Sequence, residues 1–165
     1  MDGGNRLYIV DASSWISVEG HPAQNLMLFH LGKMIEDGRI ISPPEAWDEV
    51  ENCPWVHAWL KQHRNLFVQR ITDVEYFQLV GRVTHQFHVM AGARRRKERA
   101  DQYVVGMAAY LNATSNPNRH VVVCEESHTK RPNRKIRTAC QAFGVECVDM
   151  FTMLKKEFPD EAWPD

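Results

Sequence analysis

The sequence predicts an α/β protein, a three-layer α/β/α sandwich around a central, mainly parallel sheet of about four to five strands. Short apolar runs at residues 7–11 and 120–124 suit strands that are buried on both faces. Between the predicted strands lie longer segments of helical periodicity, and such alternation implies parallel strands joined by helical crossovers. The 165 residues, 44% hydrophobic and 25% charged, suit one globular domain.

The first half of the chain begins with the apolar run "LYIVD", which passes directly into Ala-Ser-Ser. Asp11 can therefore cap a helix that starts at Ser13 or Ser14. Further along, Gly38 is a stop signal for the helix before it. The remaining predicted elements of this half are a helix over 24–37, a strand over 39–42, a Pro-led helix that ends before Pro54, a helix from Trp55, and an edge strand or extended connection over 66–71.

The second half begins with a long amphipathic helix over 74–90, for which Asp73 is the expected cap. A basic run follows this helix. The later predicted elements are a helix over 100–113, a strand over 120–124, a helix over 134–143 that Gly144 ends, a strand over 145–148 and a terminal helix over 149–157. One domain over 1–165 accounts for the chain, with flexible ends expected at 1–5 and 158–165.

Composition excludes several classes of protein. The formal net charge of -1 gives no overall field that would mark a nucleic-acid or membrane binder. No segment suits a membrane span or a signal peptide, so we expect a cytoplasmic protein. The four cysteines form no CxxC pair and lack the usual zinc-ligand spacing, so they are interpreted mainly as buried thiols.

Acidic residues fall where the predicted strands end. Asp11 ends the first strand, and the pair Glu125-Glu126 follows the strand over 120–124. Glu49 is expected one or two turns into the helix after the second strand. Asp101 lies near the start of the helix that leads into the strand over 120–124. The carboxyl ends of parallel strands share one edge of a sheet, so the four positions can converge there.

Each acid also has a purely structural interpretation. Asp11 and Asp101 suit helix caps, Glu49 suits a solvated acidic face, and Glu125-Glu126 suits an exposed loop. Four acids at one predicted edge favour function. Clustered carboxylates need a positive partner, and oxygen ligands without an organised Cys or His set favour Mg²⁺ or Mn²⁺. Such ions can activate water against a phosphodiester.

In these motifs the chain resembles the PIN-like domain superfamily of metal-dependent nucleases, which includes the VapC-type toxin ribonucleases. It also resembles a little-characterised PIN-like branch. The resemblance covers nearly the full length, including the terminal "KIRTACQAFGVECVDMFTMLKKE". Its motifs are "IVDASSWI" with Asp11 and Ser13, "SPPEAWDEVEN" with Glu49, "ADQYVVGMAA" with Asp101, and "VVVCEES" with Glu126. Cys124 departs from the family pattern, which has Thr or Ser at that position.

The resemblance implies a Mg²⁺- or Mn²⁺-dependent endoribonuclease, the toxin of a toxin-antitoxin pair. It assigns the metal to Asp11, Glu49, Asp101 and Glu126, with Glu125 as the alternative fourth acid, and gives Ser13 a supporting role. The competing hypothesis is a non-catalytic PIN-like protein that binds RNA or acts as a scaffold. An antitoxin protein and a homodimer are the expected protein partners. Helical spacing favours core positions for Trp47, Trp55 and Trp59, and any exposed member of this set would mark a dimer or antitoxin surface.

Two basic stretches flank the acidic edge in sequence. Phosphate contacts by Arg and Lys supply most sequence-independent affinity for nucleic acid, although a basic run is often only a solvated surface. Their position next to the predicted site favours RNA contact. The residues predicted to bind RNA are Arg94, Arg95, Arg96, Lys97, Arg99, Lys130, Arg131, Arg134 and Lys135.

Overall fold

The computed structural model describes residues 6–51, 53–87, 100–114, 119–125 and 136–164. The strands in these ranges are β1 (Leu7–Val10), β2 (Ile40–Ile41), β3 (His120–Val123) and β4 (Glu146–Val148). The helices are α1 (Ala12–Val18), α2 (Gln24–Glu36), α3 (Pro44–Asp48), α4 (Pro54–Phe67), α5 (Val74–Gln86), α6 (Asp101–Thr114), α7 (Ile136–Ala142) and α8 (Met150–Glu157).

The four strands form one sheet in the order β2-β1-β3-β4, and every pairing is parallel. In the register Ile9 lies opposite both Ile41 and Val122, and Val122 lies opposite Cys147. The predicted α/β class and parallel sheet are therefore confirmed. All four strands end at the same edge, as parallel strands must.

Two apolar layers cover the two faces of the sheet. Tyr8 and Val10 contribute to the core shared with α1, α2, α4 and α8, whereas Ile9 contributes to the core shared with α5, α6 and α7. Because successive side chains of a strand point to opposite faces, a short strand buried on both sides has to be apolar throughout. This explains the unbroken apolar runs in the sequence and confirms the three layers.

The ends of two helices follow the expected chemistry. Gly38 has a φ of 73°, and after it the N–H of Arg39 donates to the carbonyl of Met34 at 2.9 Å. Gly144 has a φ of 68° and stands at the same position after α7, where the N–H of Val145 donates to the carbonyl of Cys140 at 2.8 Å. Both are Schellman motifs, in which the left-handed residue is usually glycine.

Three predicted elements need correction. Residues 66 and 67 belong to α4, whereas residues 68–71 are part of the connection to α5, in which Val68 forms an isolated parallel bridge to Ser42. Helix α3 is shorter than predicted and ends at Asp48, so Glu49 is its C-cap rather than an internal residue. The helix predicted over 74–90 ends at Gln86 with Phe87 as its cap, and 88–90 lie outside the described residues.

The three tryptophans that were expected to be core residues behave differently. Trp47 is buried and Trp59 packs partly buried against the same core, but Trp55 is 74% exposed at the start of α4. Trp55 is thus an exposed member of the set. Among the described residues no helix is long and apolar enough to cross a membrane.

Candidate metal centre

Three acidic side chains from separate parts of the chain meet at the edge where the strands end. One ligand oxygen from each of Asp11, Glu49 and Asp101 lies within 4.8 Å of the others. Asp11 directly follows β1, Glu49 ends α3, and Asp101 opens α6. Asp11 is only 5% exposed, and the other two are half-buried. The predicted convergence is therefore confirmed for these three acids.

Asp11 is held by Ser13, two residues further along. The Ser13 hydroxyl donates to Asp11 Oδ2 at 2.6 Å, and the Ser13 backbone N–H donates to the same oxygen at 3.2 Å. The hydroxyl also accepts a bond of 3.0 Å from the backbone N–H of Glu125, which follows β3. Ser13 therefore connects the ends of two neighbouring strands and orients the carboxylate.

Glu49 is held by the entrance to α6. Its Oε1 accepts a hydrogen bond of 2.7 Å from the backbone N–H of Ala100, which is fully buried. The carbonyl of Ala100 accepts from the N–H groups of Tyr103 and Val104, so Ala100 is the residue that caps the helix. Glu49 and Asp101 thus both lie at the N-terminus of a 14-residue helix, whose dipole favours negative charge.

Glu125, the alternative fourth acid, is not part of the group formed by Asp11, Glu49 and Asp101. Its Oε2 accepts hydrogen bonds from the Ser14 hydroxyl at 2.6 Å and from the backbone N–H of Met150, at the start of α8, at 3.2 Å. Burial raises the pKa of this carboxyl above its ordinary value, while the bonds from Ser14 and Met150 oppose that rise. Among the described residues the carboxylate group consists of Asp11, Glu49 and Asp101. Glu125 joins α1, β3 and α8 beside that group.

Several predicted site residues lie outside the described ranges. They are Glu126 and the nine basic residues Arg94, Arg95, Arg96, Lys97, Arg99, Lys130, Arg131, Arg134 and Lys135. In sequence the first basic run ends immediately before Ala100, which contacts Glu49. The second begins a few residues after Glu125, which contacts Ser13. Both runs are therefore close in sequence to residues of the site. Their role in binding RNA stays a prediction.

The donor set of the group suits a hard divalent cation. Carboxylate oxygens are the ligands that Mg²⁺ and Mn²⁺ prefer, whereas structural zinc sites are built mainly from Cys and His. Three like charges within 4.8 Å repel one another, and a cation among them offsets that repulsion. Among the described residues, Asp11, Glu49 and Asp101 are therefore the group that can hold a metal ion.

Sequence reasoning did not identify Ser14 or the backbone of Ala100 as parts of this edge. Ser14 is fully buried, and its hydroxyl orients Glu125. The second serine of "DASS" was a weak signal for this role, because a buried hydroxyl needs a hydrogen-bond partner. Nothing in the sequence indicated the contact between Ala100 and Glu49, which depends on how α3 and α6 pack.

Most of the chain matches a single family model. Residues 8–159 match the family described as "Domain of unknown function (DUF4411)". The chain belongs to the DUF4411 family. The matched range of this DUF4411 protein contains all three acids of the group together with Ser13 and Glu125. No curated protein and no solved structure matches the chain.

Proposed function

We propose that this DUF4411 protein is a Mg²⁺- or Mn²⁺-dependent endoribonuclease that hydrolyses RNA phosphodiester bonds. The observation that carries the proposal is the meeting of Asp11, Glu49 and Asp101 within 4.8 Å at the carboxyl edge of a parallel sheet. Ligand sites of open α/β sheets lie at this edge. The resemblance of the same motifs to PIN-like nucleases supplies the reaction class.

The three acids have complementary roles in this proposal. They bind one or two divalent ions, which when present lower the pKa of a bound water and stabilise charge on the phosphate. Ser13 keeps the Asp11 carboxylate in one orientation through its 2.6 Å bond, and such outer partners of metal ligands tune both affinity and activity. Glu126, which follows β3 in sequence, is proposed as the fourth acid.

Local positive charge supports an RNA substrate. The net charge of -1 gives no general attraction to a polyanion, so affinity has to come from clustered Arg and Lys. In the sequence, the basic run at 94–99 immediately precedes Ala100 and the one at 130–135 follows Glu125 after a few residues, and both provide such clusters. The choice of RNA over DNA rests on the resemblance to VapC-type ribonucleases.

A toxin role is the finer part of the proposal and rests on the same resemblance. It predicts an antitoxin protein that binds the ribonuclease and blocks its site, and a homodimer is the other proposed assembly. Co-expression with the product of the neighbouring gene tests this part. Recovery of a stable complex that no longer cleaves RNA is expected, and free activity in the presence of that product would contradict it.

Cleavage and metal binding should both depend on Asp11. Purified protein is expected to cleave single-stranded RNA with Mn²⁺ or Mg²⁺ and to lose cleavage with a chelator. Asp11→Asn should lower the cleavage rate by about 100-fold or more, since a metal ligand is lost. The variant should remain folded, because Asn caps a helix about as well as Asp. A fluorescent RNA substrate measures the rate, and circular dichroism measures the fold.

Asp48→Asn is the matched control, because Asp48 is an exposed acid on α3 next to Glu49. It should leave the cleavage rate and the Mn²⁺ response unchanged.

Thermal unfolding with Mn²⁺ distinguishes the proposed nuclease from the competing hypothesis, a non-catalytic RNA-binding or scaffold protein. A ligand bound only by the folded state at 100 times its Kd stabilises by about 2.7 kcal/mol. RNA binding without this Mn²⁺ shift would favour the non-catalytic function, and equal cleavage by Asp11→Asn would refute the nuclease.

A further inference from the structure

Three of the four cysteines lie together on one face of the sheet. Cys147 is on β4 opposite Val122 of β3, and Cys124 follows two residues after Val122, so both side chains point to the same face. Cys140 reaches this face from α7. Cys53 belongs to the core on the opposite face. The cluster of Cys124, Cys140 and Cys147 is therefore a local feature.

Cys124 and Cys147 are in direct contact within this cluster. Their Sγ atoms lie 2.9 Å apart, which is less than the about 3.5–4.0 Å at which non-bonded carbon atoms pack. Cys124 is fully buried, while Cys147 is partly exposed and can be reached by a small reagent. Hydrogen bonds from Cys124 and Cys140 lower the pKa of the Cys147 thiol. The pair therefore consists of a partly exposed thiol whose pKa is lowered and a buried thiol in contact with it.

Among the described residues, the three cysteines are not part of a group that could hold a metal ion. A tetrahedral zinc site needs four ligands, and three protein ligands are the minimum in catalytic sites. Among the described residues, the three acids are the one group in which three or more potential ligand atoms lie within 4.8 Å of one another. The three cysteines are not such a group, whereas the contact between Cys124 and Cys147 supplies the two thiols that a disulfide requires.

We propose that Cys124 and Cys147 form a reversible disulfide in response to a peroxide oxidant. First, the Cys147 thiolate attacks one peroxide oxygen. An S–O bond forms, the O–O bond breaks, and the leaving hydroxide takes up a proton and departs as water. The sulfur of Cys124 then attacks the sulfenic acid at Cys147. The S–S bond forms, the S–O bond breaks, and the Cys124 proton leaves with the hydroxide as water.

The two cysteines lose two electrons, and the peroxide gains them. A dithiol reductant reverses the change by thiol-disulfide exchange. Cysteine pairs of this kind in reducing compartments are usually transient and redox-sensing. The proposal is independent of the nuclease proposal, since it concerns the cysteines alone.

The test measures which thiols disappear. The folded protein is treated with hydrogen peroxide, denatured, alkylated and digested without reductant, and its peptides are identified by mass spectrometry. The expected product is a crosslink between the Cys124 and Cys147 peptides, which a dithiol removes, while Cys53 remains alkylated. Cys53→Ser is the matched control and should give the same crosslink, whereas Cys147→Ser should give none.

Three results would overturn the proposal. After peroxide treatment, Cys124 and Cys147 of the wild-type protein could remain as fully alkylated as Cys53. The crosslink could instead join Cys140 to Cys147, or it could join two copies of the chain. The wild-type measurement decides each case, so the result does not depend on whether a variant folds.

Discussion

At the residue scale, Asp11 is both a helix cap and a member of the carboxylate group. Its side chain accepts the N–H of Ser13 as the N-cap of α1, and one of its oxygens lies within 4.8 Å of those of Glu49 and Asp101. The structural and the functional interpretations of this acid are therefore compatible. Ser13 is the residue that joins them, because its hydroxyl contacts both Asp11 and the backbone after β3.

Ser13→Ala should weaken both the site and the fold. The variant removes the hydrogen bond to Asp11 Oδ2 and leaves the N–H of Glu125 without that acceptor. An unsatisfied group costs about 1–3 kcal/mol, and loss of an outer partner lowers metal affinity roughly 10- to 100-fold. Urea denaturation measures the first effect, and Mn²⁺ titration monitored by thermal shift measures the second.

Ser13→Thr is the control, because it keeps the hydroxyl at the same position. It should retain most of the Mn²⁺ affinity of the wild-type protein. If Ser13→Ala binds Mn²⁺ as tightly as Ser13→Thr, the hydroxyl does not orient the carboxylate.

At the element scale, the approach of α5 to α6 supports the helix that begins with Asp101. An ideal Cβ built on Gly106 of α6 would lie 2.6 Å from Val80 Cγ2 and 3.3 Å from Val80 Cα. The glycine therefore permits the close packing of the two helices. Val80 is β-branched and has little rotamer freedom in a helix, so its side chain cannot easily make room.

Gly106→Ala should destabilise the protein by about 1–3 kcal/mol, the usual cost of overpacking a core. Gly81→Ala on α5 is the matched control, because nothing lies within 4 Å of its ideal Cβ and the residue is exposed. This change should stabilise by about 0.5–1 kcal/mol through helix propensity. Urea denaturation compares the two variants, and equal stabilities would show that the contact with Val80 is unimportant.

At the scale of the whole molecule, the residues after α8 close over α2. His30 Nε2 lies 2.7 Å from Glu161 Oε2, and the His30 ring lies 4.1 Å from Phe158 and 5.6 Å from Trp163 between ring centroids. Glu157 at the end of α8 forms an ion pair of 2.8 Å with Arg39, next to β2. The C-terminal part of the chain is thus tied to α2 and to the residue before β2.

Glu161→Gln should reduce the acid sensitivity of the fold. The hydrogen bond from His30 lowers the pKa of Glu161 below its ordinary value of 4.5. The ionised carboxylate therefore contributes stability above about pH 4.5, and this stability is lost as the pH falls through the lower, folded-state value. In Glu161→Gln this part of the pH dependence should be absent from a series of melting temperatures.

Asp160→Asn is the control for this pH series, since Asp160 is the exposed neighbouring acid. It should keep the acid dependence of the wild-type protein. If Glu161→Gln and the wild-type protein lose melting temperature equally between pH 5 and pH 3, the contact with His30 does not act in the way stated.

Most of the fold could be predicted because burial on both faces leaves a clear mark on a sequence. Strands β1 and β3 are unbroken apolar runs, and the glycines after α2 and α7 mark the ends of those helices. The end of α4 was not predictable. Its last residues, Leu66 and Phe67, have an apolar pattern that suits a short strand equally well, and periodicity does not separate the two over so few residues.

The site was predictable in part. The rule that the carboxyl ends of parallel strands and the N-termini of the helices meet at one edge of the sheet was enough to bring Asp11 and Asp101 together. The place of Glu49 depends on the short length of α3, which no sequence signal fixed. The pairing of Cys124 with Cys147 was missed for a different reason. The two residues meet because β3 and β4 are neighbours in the sheet. The number of residues between two neighbouring parallel strands follows no fixed rule, so nothing in the sequence indicated this contact.

The strand order has a consequence for synthesis of the protein. Strand β1 at residues 7–10 pairs along its whole length with β3 at residues 120–123. Because more than a hundred residues separate the two strands, β1 can gain this neighbour in the sheet only after most of the chain has left the ribosome. Such non-local pairing is also slow to form, because loop-closure entropy opposes it. Asp11 is synthesised before Glu49 and Asp101, the other two acids of the carboxylate group. A chain interrupted before β3 therefore carries the acids without the sheet edge that assembles them.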